Sequence, residues 1–282
     1  MNNIYEQFSK LLYETVRPLG AGSCLAFSGG VDSSLLATFI KRKFEDTTLL
    51  SINFLEYGEI DYIKEAADVL DLPLIMKNIH ITELEEGIKD TLRIIDYDRV
   101  ALLENCIGFY FIFKYAEEIG FNCVISANGV DELFCGYDVF RSQYKKTKIT
   151  RLIDNLVETA QKDKVQIDKI SDYFNLDYIC PFLNEKVIEY SRKIPVSLKI
   201  KNCNDFIRKH FIRKVAENQG LPKKIVNRKK KSFQYSSGLH KSIRKLARIK
   251  GYTNQKGKKL GYESGAEAFI KNLEKGIVGG LV

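Results

Sequence analysis

A strand that runs into Phe27-Ser28-Gly29-Gly30-Val31-Asp32-Ser33-Ser34 and passes at once into an apolar-periodic helix leaves this chain few folds to choose from. Leu25, Ala26 and Phe27 read as the end of a buried strand, and apolar residues over 35–44 recur at helical spacing. Gly29 and Gly30 let the main chain turn sharply and an anion come close, while Ser33 and Ser34 place hydroxyls at the helix start. Free N–H groups and the positive end of the helix dipole then face the ligand, which is how such turns hold phosphate. No lysine follows the second glycine, so the turn differs from the Gly-x-x-x-x-Gly-Lys loop that grips a terminal phosphate. Asp32 stands at the apex instead, and an aspartate set against phosphate calls for a divalent cation between them.

A second stretch repeats this logic. Cys123-Val124-Ile125 is a short apolar strand, Ser126-Ala127-Asn128-Gly129 a polar turn, and Asp131 and Glu132 follow. In a doubly wound sheet both turns leave at the carboxyl edge, where Asp32 and Asp131 could meet across one metal ion.

With both motifs in hand, the chain resembles the synthetase domain of the asparagine synthetases and the β-lactam-forming synthetases, within the ATP pyrophosphatase (PP-loop) superfamily. Ser28 to Ser34 match the family's Ser-Gly-Gly-x-Asp-Ser-Ser, and Ser126, Gly129, Asp131, Glu132, Phe134, Gly136 and Tyr137 match its second loop. Pro181-Phe182-Leu183 resembles the family's Pro-Phe-Leu-Asp. Leu221-Pro222, Ile225, Arg228, Lys230 and Phe233 resemble its Leu-Pro-x-x-Ile followed by Arg-x-Lys-x-x-Phe. The resemblance implies an α/β fold: a doubly wound, five-stranded parallel sheet of the adenine nucleotide alpha hydrolase type, with a helical C-terminal extension. It divides the chain into an ATP-binding core over 1–140 and a helical portion over 141–282 that completes the site within one globular unit.

The implied chemistry is AMP-forming. A substrate carboxylate or carbonyl attacks the α-phosphorus of ATP, pyrophosphate leaves, and ammonia or another amine displaces AMP. The resemblance gives Ser28, Gly29, Gly30, Ser33 and Ser34 the pyrophosphate and Asp32 and Asp131 the Mg2+. Lys230 becomes the cation at the transition state, Arg228 a supporting pyrophosphate contact and Gly129 a contact to ribose or α-phosphate. Adenine is expected beside main-chain atoms at the end of the second strand, around 52–55, with Phe54 read either as an ATP contact or, for its side chain, as plain core. Lys230 has its own alternative, since Arg228-Lys229-Lys230-Lys231 also reads as a solvated basic run.

Two departures bear on the substrate. Asn128 stands where the family's second loop carries a glutamate, and an amide is no carboxylate base. Counting back without gaps from Ser126, Glu104 falls where asparagine synthetases carry an arginine; its alternative is a buried, paired glutamate in a core helix. An acidic acceptor such as aspartate is therefore not expected. Residue 2 is asparagine rather than the cysteine nucleophile of a glutaminase domain, so the expected nitrogen source is free ammonia, an amine, or a separate glutaminase subunit.

Composition narrows the class further. The chain has 282 residues, 45% hydrophobic, enough for a substantial core. Its start lacks a basic segment followed by an apolar run, and its most apolar stretch, 100–115, carries Glu104, Asn105 and Lys114. A cytoplasmic protein without membrane spans is the expectation. Six cysteines without Cys-x-x-Cys spacing argue for reduced, buried thiols rather than zinc or a redox pair. Net charge is +8, and the segment 221–260 holds no Asp or Glu among its many lysines and arginines, a footprint suited to a polyanion such as tRNA. Adenylation of a tRNA base and a catalytically altered nucleotide-binding protein therefore stand as alternative functions, and a homodimer as an open expectation for assembly.

Periodicity predicts helices over 4–16, 33–44, 60–71 and 100–119 and a helical stretch from Thr82, with strands over 23–27, 48–54, 74–77 and 123–125. Beyond these it predicts helices over 149–159, 168–174, 184–193 and 205–218 and no further strand.

Overall fold

The computed structural model describes residues 4–16, 22–44, 47–54, 59–144, 148–229 and 233–279. Five strands, β1 (Ser23–Ala26), β2 (Thr48–Phe54), β3 (Leu74–Ile79), β4 (Cys123–Ile125) and β5 (Asp177–Ile179), form one sheet in the order β3-β2-β1-β4-β5. Every pairing is parallel, with Leu25 opposite Leu49 on one side and Ser23 opposite Cys123 on the other.

The helices are α1 (Ile4–Val16), α2 (Val31–Lys41), α3 (Ile60–Leu70), α4 (Ile81–Ile94), α5 (Val100–Ile119), α6 (Val130–Leu133), α7 (Val139–Ser142) and α8 (Ile149–Tyr173). They continue with α9 (Glu185–Lys193), α10 (His210–Asn218), α11 (Lys223–Val226), α12 (Phe233–Ser236), α13 (Leu239–Ile249), α14 (Asn254–Lys259) and α15 (Gly265–Gly279).

Alternate residues of the central strands feed two separate cores, because successive side chains point to opposite faces of a sheet. Leu25 and Leu49 pack with Phe8, Leu35, Ile63 and Phe211, so α1, α2, α3 and α10 cover one face. Cys24, Leu50 and Ile52 pack with Ile88, Phe111, Ile243 and Phe269, so α4, α5, α13 and α15 cover the other. A sheet buried on both faces reads as near-continuous apolar runs, as β2 does in Leu49-Leu50-Ser51-Ile52. The fold expected from the resemblance is thus the fold observed.

Three departures of the secondary structure from the sequence reading bear on the site and its walls. β5 went unseen because Asp177-Tyr178-Ile179 is three residues long and lies at the sheet edge, leaving no periodicity to read. Helices predicted over 149–159 and 168–174 are one helix, α8, whose polar middle is supported by the i,i+4 pairs Glu158–Lys162 and Lys164–Asp168. The helix predicted from 205 begins at His210, since Asp205 instead organises a turn described below.

Among the described residues no helix is long and apolar enough to cross a membrane. The cysteines are all free thiols, five of them buried, and burial pushes the Cys24 and Cys106 thiols up to about 12.

Candidate active site

Strand order reverses between β1 and β4, so the loops leaving their carboxyl ends diverge to opposite sides and open a crevice, the usual ligand position in such sheets. The loop after β1 enters α2 with Gly30 as its N-cap. Gly29 takes a φ of +68°, a left-handed conformation that a side chain would strain. Ser28 Oγ and Ser33 Oγ lie 3.2 Å apart, and Ser33 Oγ donates to the Gly30 carbonyl at 3.2 Å. These are long bonds between neighbours, leaving the hydroxyls open to a stronger acceptor. The loop after β4 is tied to the sheet edge: Ser126 Oγ shares a 2.8 Å hydrogen bond with Tyr178 Oη, and Asn128 Nδ2 donates to the same oxygen at 3.0 Å. Burial keeps that phenol neutral, its pKa raised well above the ordinary value.

The two aspartates converge. Asp32 Oδ2 and Asp131 Oδ1 lie 2.6 and 2.9 Å from one atom, the Nζ of Lys209. Its sequence neighbourhood, read as a helix from 205, gives this lysine no role. In the structure, residues 205–209 form a built turn. Asp205 Oδ2 accepts from Lys201 N and pairs with His210 Nε2, while Asp205 Oδ1 accepts from the N–H groups of Ile207 and Arg208. Arg208 and Lys209 both take φ +53°, the strained left-handed region. Arg213 holds the turn from behind: its guanidinium donates to the carbonyls of Arg208, Ile207 and Val226. Lys209 reaches the cavity only because this turn aims it there. Burial depresses the Arg213 pKa, with Asp32 and Asp131 among the charges opposing that shift.

These groups line a cavity of about 930 Å³, its mouth included. Ser28, Gly30, Asp32, Ser33, Asn128, Asp131 and Arg228 all lie on its wall, as the motifs implied. Lys209, Arg213 and Lys229 add cations, and Phe109, Ile112 and Phe233 an apolar side. Arg228 stacks 3.5 Å over the Tyr62 ring and pairs with Glu59. Burial raises the Tyr62 phenol pKa, with Arg228 opposing.

A second chamber of about 1480 Å³ adjoins the first and shares Asn105, Ala127, Asn128, Asp131 and Phe233 with it. Gly129 and Glu104 belong to this chamber alone. Glu104 is 8% exposed and bonds His240 Nδ1 at 2.8 Å. It is thus both buried and paired in a core helix and on a cavity wall.

Three candidates line neither cavity. Gly29 shapes the turn, and Ser34 is fully buried. Phe54 is core: its ring packs edge-on against Phe111, and its N–H donates to the Ser237 carbonyl. Ile52 is likewise buried, residues 52–54 do not line the cavity, and Leu55 lies outside the described residues. Lys230 also lies outside the described residues.

A divalent cation fits this donor set. Asp32 Oδ1 is buried and has no hydrogen-bond partner among the described residues, so a carboxylate oxygen is left for a ligand beside one already spent on Lys209. No group of three or more His, Cys, Asp or Glu at metal-binding spacing occurs among the described residues. Two carboxylates completed by phosphate oxygens and water is the arrangement Mg2+ favours in nucleotide sites.

Several known proteins are similar to this chain. The family model described as asparagine synthase matches residues 17–166 and 150–266. A Methanocaldococcus jannaschii protein named "Putative asparagine synthetase [glutamine-hydrolyzing] 1" is 28% identical over 262 residues, covering 81% of this chain and 48% of that one. An asparagine synthetase (glutamine-hydrolyzing) of Lotus japonicus is 25% identical over 226 residues, covering 75% and 39%. The chain therefore spans about half, or less, of the length of these curated relatives. Among solved structures, that of NMN synthetase from Francisella tularensis aligns with a TM-score of 0.45 at 12% identity, over 96% of this chain and 93% of that one. With the family model matched along most of its length, this chain belongs to the asparagine synthase family.

Proposed function

We propose that the protein is an ATP-dependent, AMP-forming ligase that joins an amine to a substrate carboxylate as an amide. One observation carries this reading: the loops after β1 and β4 bring Ser28, Asp32, Ser33 and Asp131 onto one cavity wall, and the turn at 205–209 with α10 adds Lys209 and Arg213 to it. With Arg228 and Lys229 on the same wall, four cations stand against two aspartates, beside hydroxyls and a helix N-terminus, and this suits a polyphosphate.

In the reaction we infer, a carboxylate oxygen attacks the α-phosphorus of ATP, the bond to the bridging oxygen breaks, and pyrophosphate leaves with the electron pair. The amine nitrogen then attacks the acyl carbon, loses a proton, and expels AMP. Ser28, Ser33 and the start of α2 hold the departing pyrophosphate, and Arg228 and Lys229 lie on the same wall. Lys209 supplies fixed positive charge between the aspartates, and Arg213 supports the turn that places it. Mg2+, held by Asp32 and Asp131, would add charge neutralisation on the leaving group. Lys230 is assigned the α-phosphoryl cation on the motif alone. ATP as co-substrate, a glutaminase subunit or free ammonia as nitrogen source, and a cytoplasmic, dimeric enzyme belong to the same proposal.

A second reading, adenylation of a tRNA base, draws on one further observation. Lys223, Arg244, Arg248, Lys256, Lys258 and Lys259 are all exposed on α11, α13 and α14. One assay separates the two. The protein is given α-labelled ATP, Mg2+, ammonium and a carboxylate panel, or total tRNA, and AMP and pyrophosphate are measured. Equimolar AMP and pyrophosphate that require a carboxylate, and that fall at least about 100-fold in Asp32→Asn, support the ligase. Dependence on tRNA supports the second reading, and ADP with phosphate, or no turnover under any condition, overturns both.

A further inference from the structure

The second chamber has an unequal charge. Arg99 on its wall is bound by Asp163, and Lys164 by Asp168 at 2.6 Å, so each of these cations already has its own carboxylate. Glu104 is different. Its side chain is one-tenth exposed, it sits on the chamber wall, and no lysine or arginine lies within ion-pair distance of it among the described residues. Its Oε1 meets His240 Nδ1, and the His240 ring is fixed in turn against Tyr235, with centroids 4.9 Å apart. The second oxygen, Oε2, makes no hydrogen bond among the described residues. A nearly buried carboxylate whose partner among the described residues is an imidazole, with no lysine or arginine beside it, gains from a ligand that brings positive charge. The wall around it adds Asp131, Glu132 and Asp163 against Arg99 and Lys164.

We infer that the second chamber takes a small molecule carrying a protonated amine, with Glu104 as the charge partner of that ammonium and His240 as the residue that positions Glu104. The inference rests on the ligase reading for its meaning, since the chamber shares Asn105, Asn128 and Asp131 with the cavity assigned to the nucleotide. A dicarboxylate entering the chamber meets Glu104 as a like charge at short range.

The test is direct binding of two probes of equal chain length and opposite charge, 1,4-diaminobutane and succinate, to the full chain by calorimetry. The wild type binds the diamine at least about 10-fold more tightly than succinate, the ratio that 1.4 kcal/mol represents. Glu104→Gln, which keeps shape and removes charge, loses at least that factor for the diamine. Glu104→Asp recovers part of it, and Glu104→Arg reverses the preference. His240→Asn weakens the diamine less than Glu104→Gln does. Thermal melting checks that each variant is folded, and the Gln and Arg variants report independently should one fail. Equal or tighter succinate binding by the wild type, no diamine binding, or a Glu104→Gln variant unchanged toward the diamine overturns the inference. None of these measurements includes ATP, so loss of the ligase reading in the AMP assay and loss of this one are separate results.

Discussion

Replacing Lys209 by methionine tests the centre of the site, because it keeps the aliphatic stem and removes only the charge between two carboxylates. Lys209 is 1% exposed at its side chain, Asp32 and Asp131 17% and 14%. The two contacts, 2.6 and 2.9 Å, set the farthest separation of the aspartate oxygens at about 5.5 Å. At an effective dielectric of 20, two like charges at that distance repel by about 3 kcal/mol. Removing one member of a buried ion pair typically costs about 3–5 kcal/mol. Lys209→Met should therefore lose about 3 kcal/mol or more of unfolding free energy by urea titration at pH 7. Asp32→Asn in the same chain should return a large part of it, since the pair no longer repels. Mg2+ should stabilise Lys209→Met more than the wild type, because the same two oxygens then lack any internal cation. A Lys209→Met protein within about 0.5 kcal/mol of wild type, or one indifferent to both Asp32→Asn and Mg2+, refutes the convergence as an energetic unit.

Three further outcomes follow from single contacts. A Cβ at Gly136 would fall 1.8 Å from Asp131 Oδ1, so Gly136→Ala should displace that carboxylate, lower AMP formation at least about 10-fold, and cost about 1–3 kcal/mol by urea titration. Burial pushes the Lys199 ammonium down to about 8 from its ordinary 10.5, so the unfolded chain takes up this proton first as pH falls. Stability should drop between pH 10.5 and 8 and stay lowered below, by about 3 kcal/mol at most, and Lys199→Met should remove that drop in melts across the range. If the exposed cations of α11, α13 and α14 bind RNA, affinity for total tRNA should fall steeply and log-linearly with salt, and a flat response in filter binding would exclude it.

Much of this molecule was legible because its signals are local. The glycine turn at 28–30, the acids at 32 and 131 and the apolar run of α5 each announce themselves within a few residues. Lys209 did not, because its role depends on a turn built by Asp205 and on a guanidinium from Arg213, and neither contact has a spacing that a pattern can carry. β5 escaped because three residues at a sheet edge have no period, though it supplies Tyr178, which holds Asn128. The ring of Phe54 shows the opposite case: a residue at the right strand end whose apolar side chain is taken by the core.

The two chambers share Asn105, Ala127, Asn128, Asp131 and Phe233 on their walls. In the proposed ligase, a reactive mixed anhydride would span this junction, its nucleotide end in the first chamber and its acyl end in the second. Its competing loss to water is then set by how well these shared side chains shield it. Opening the junction, by trimming Phe233, would show as AMP released without matching amide.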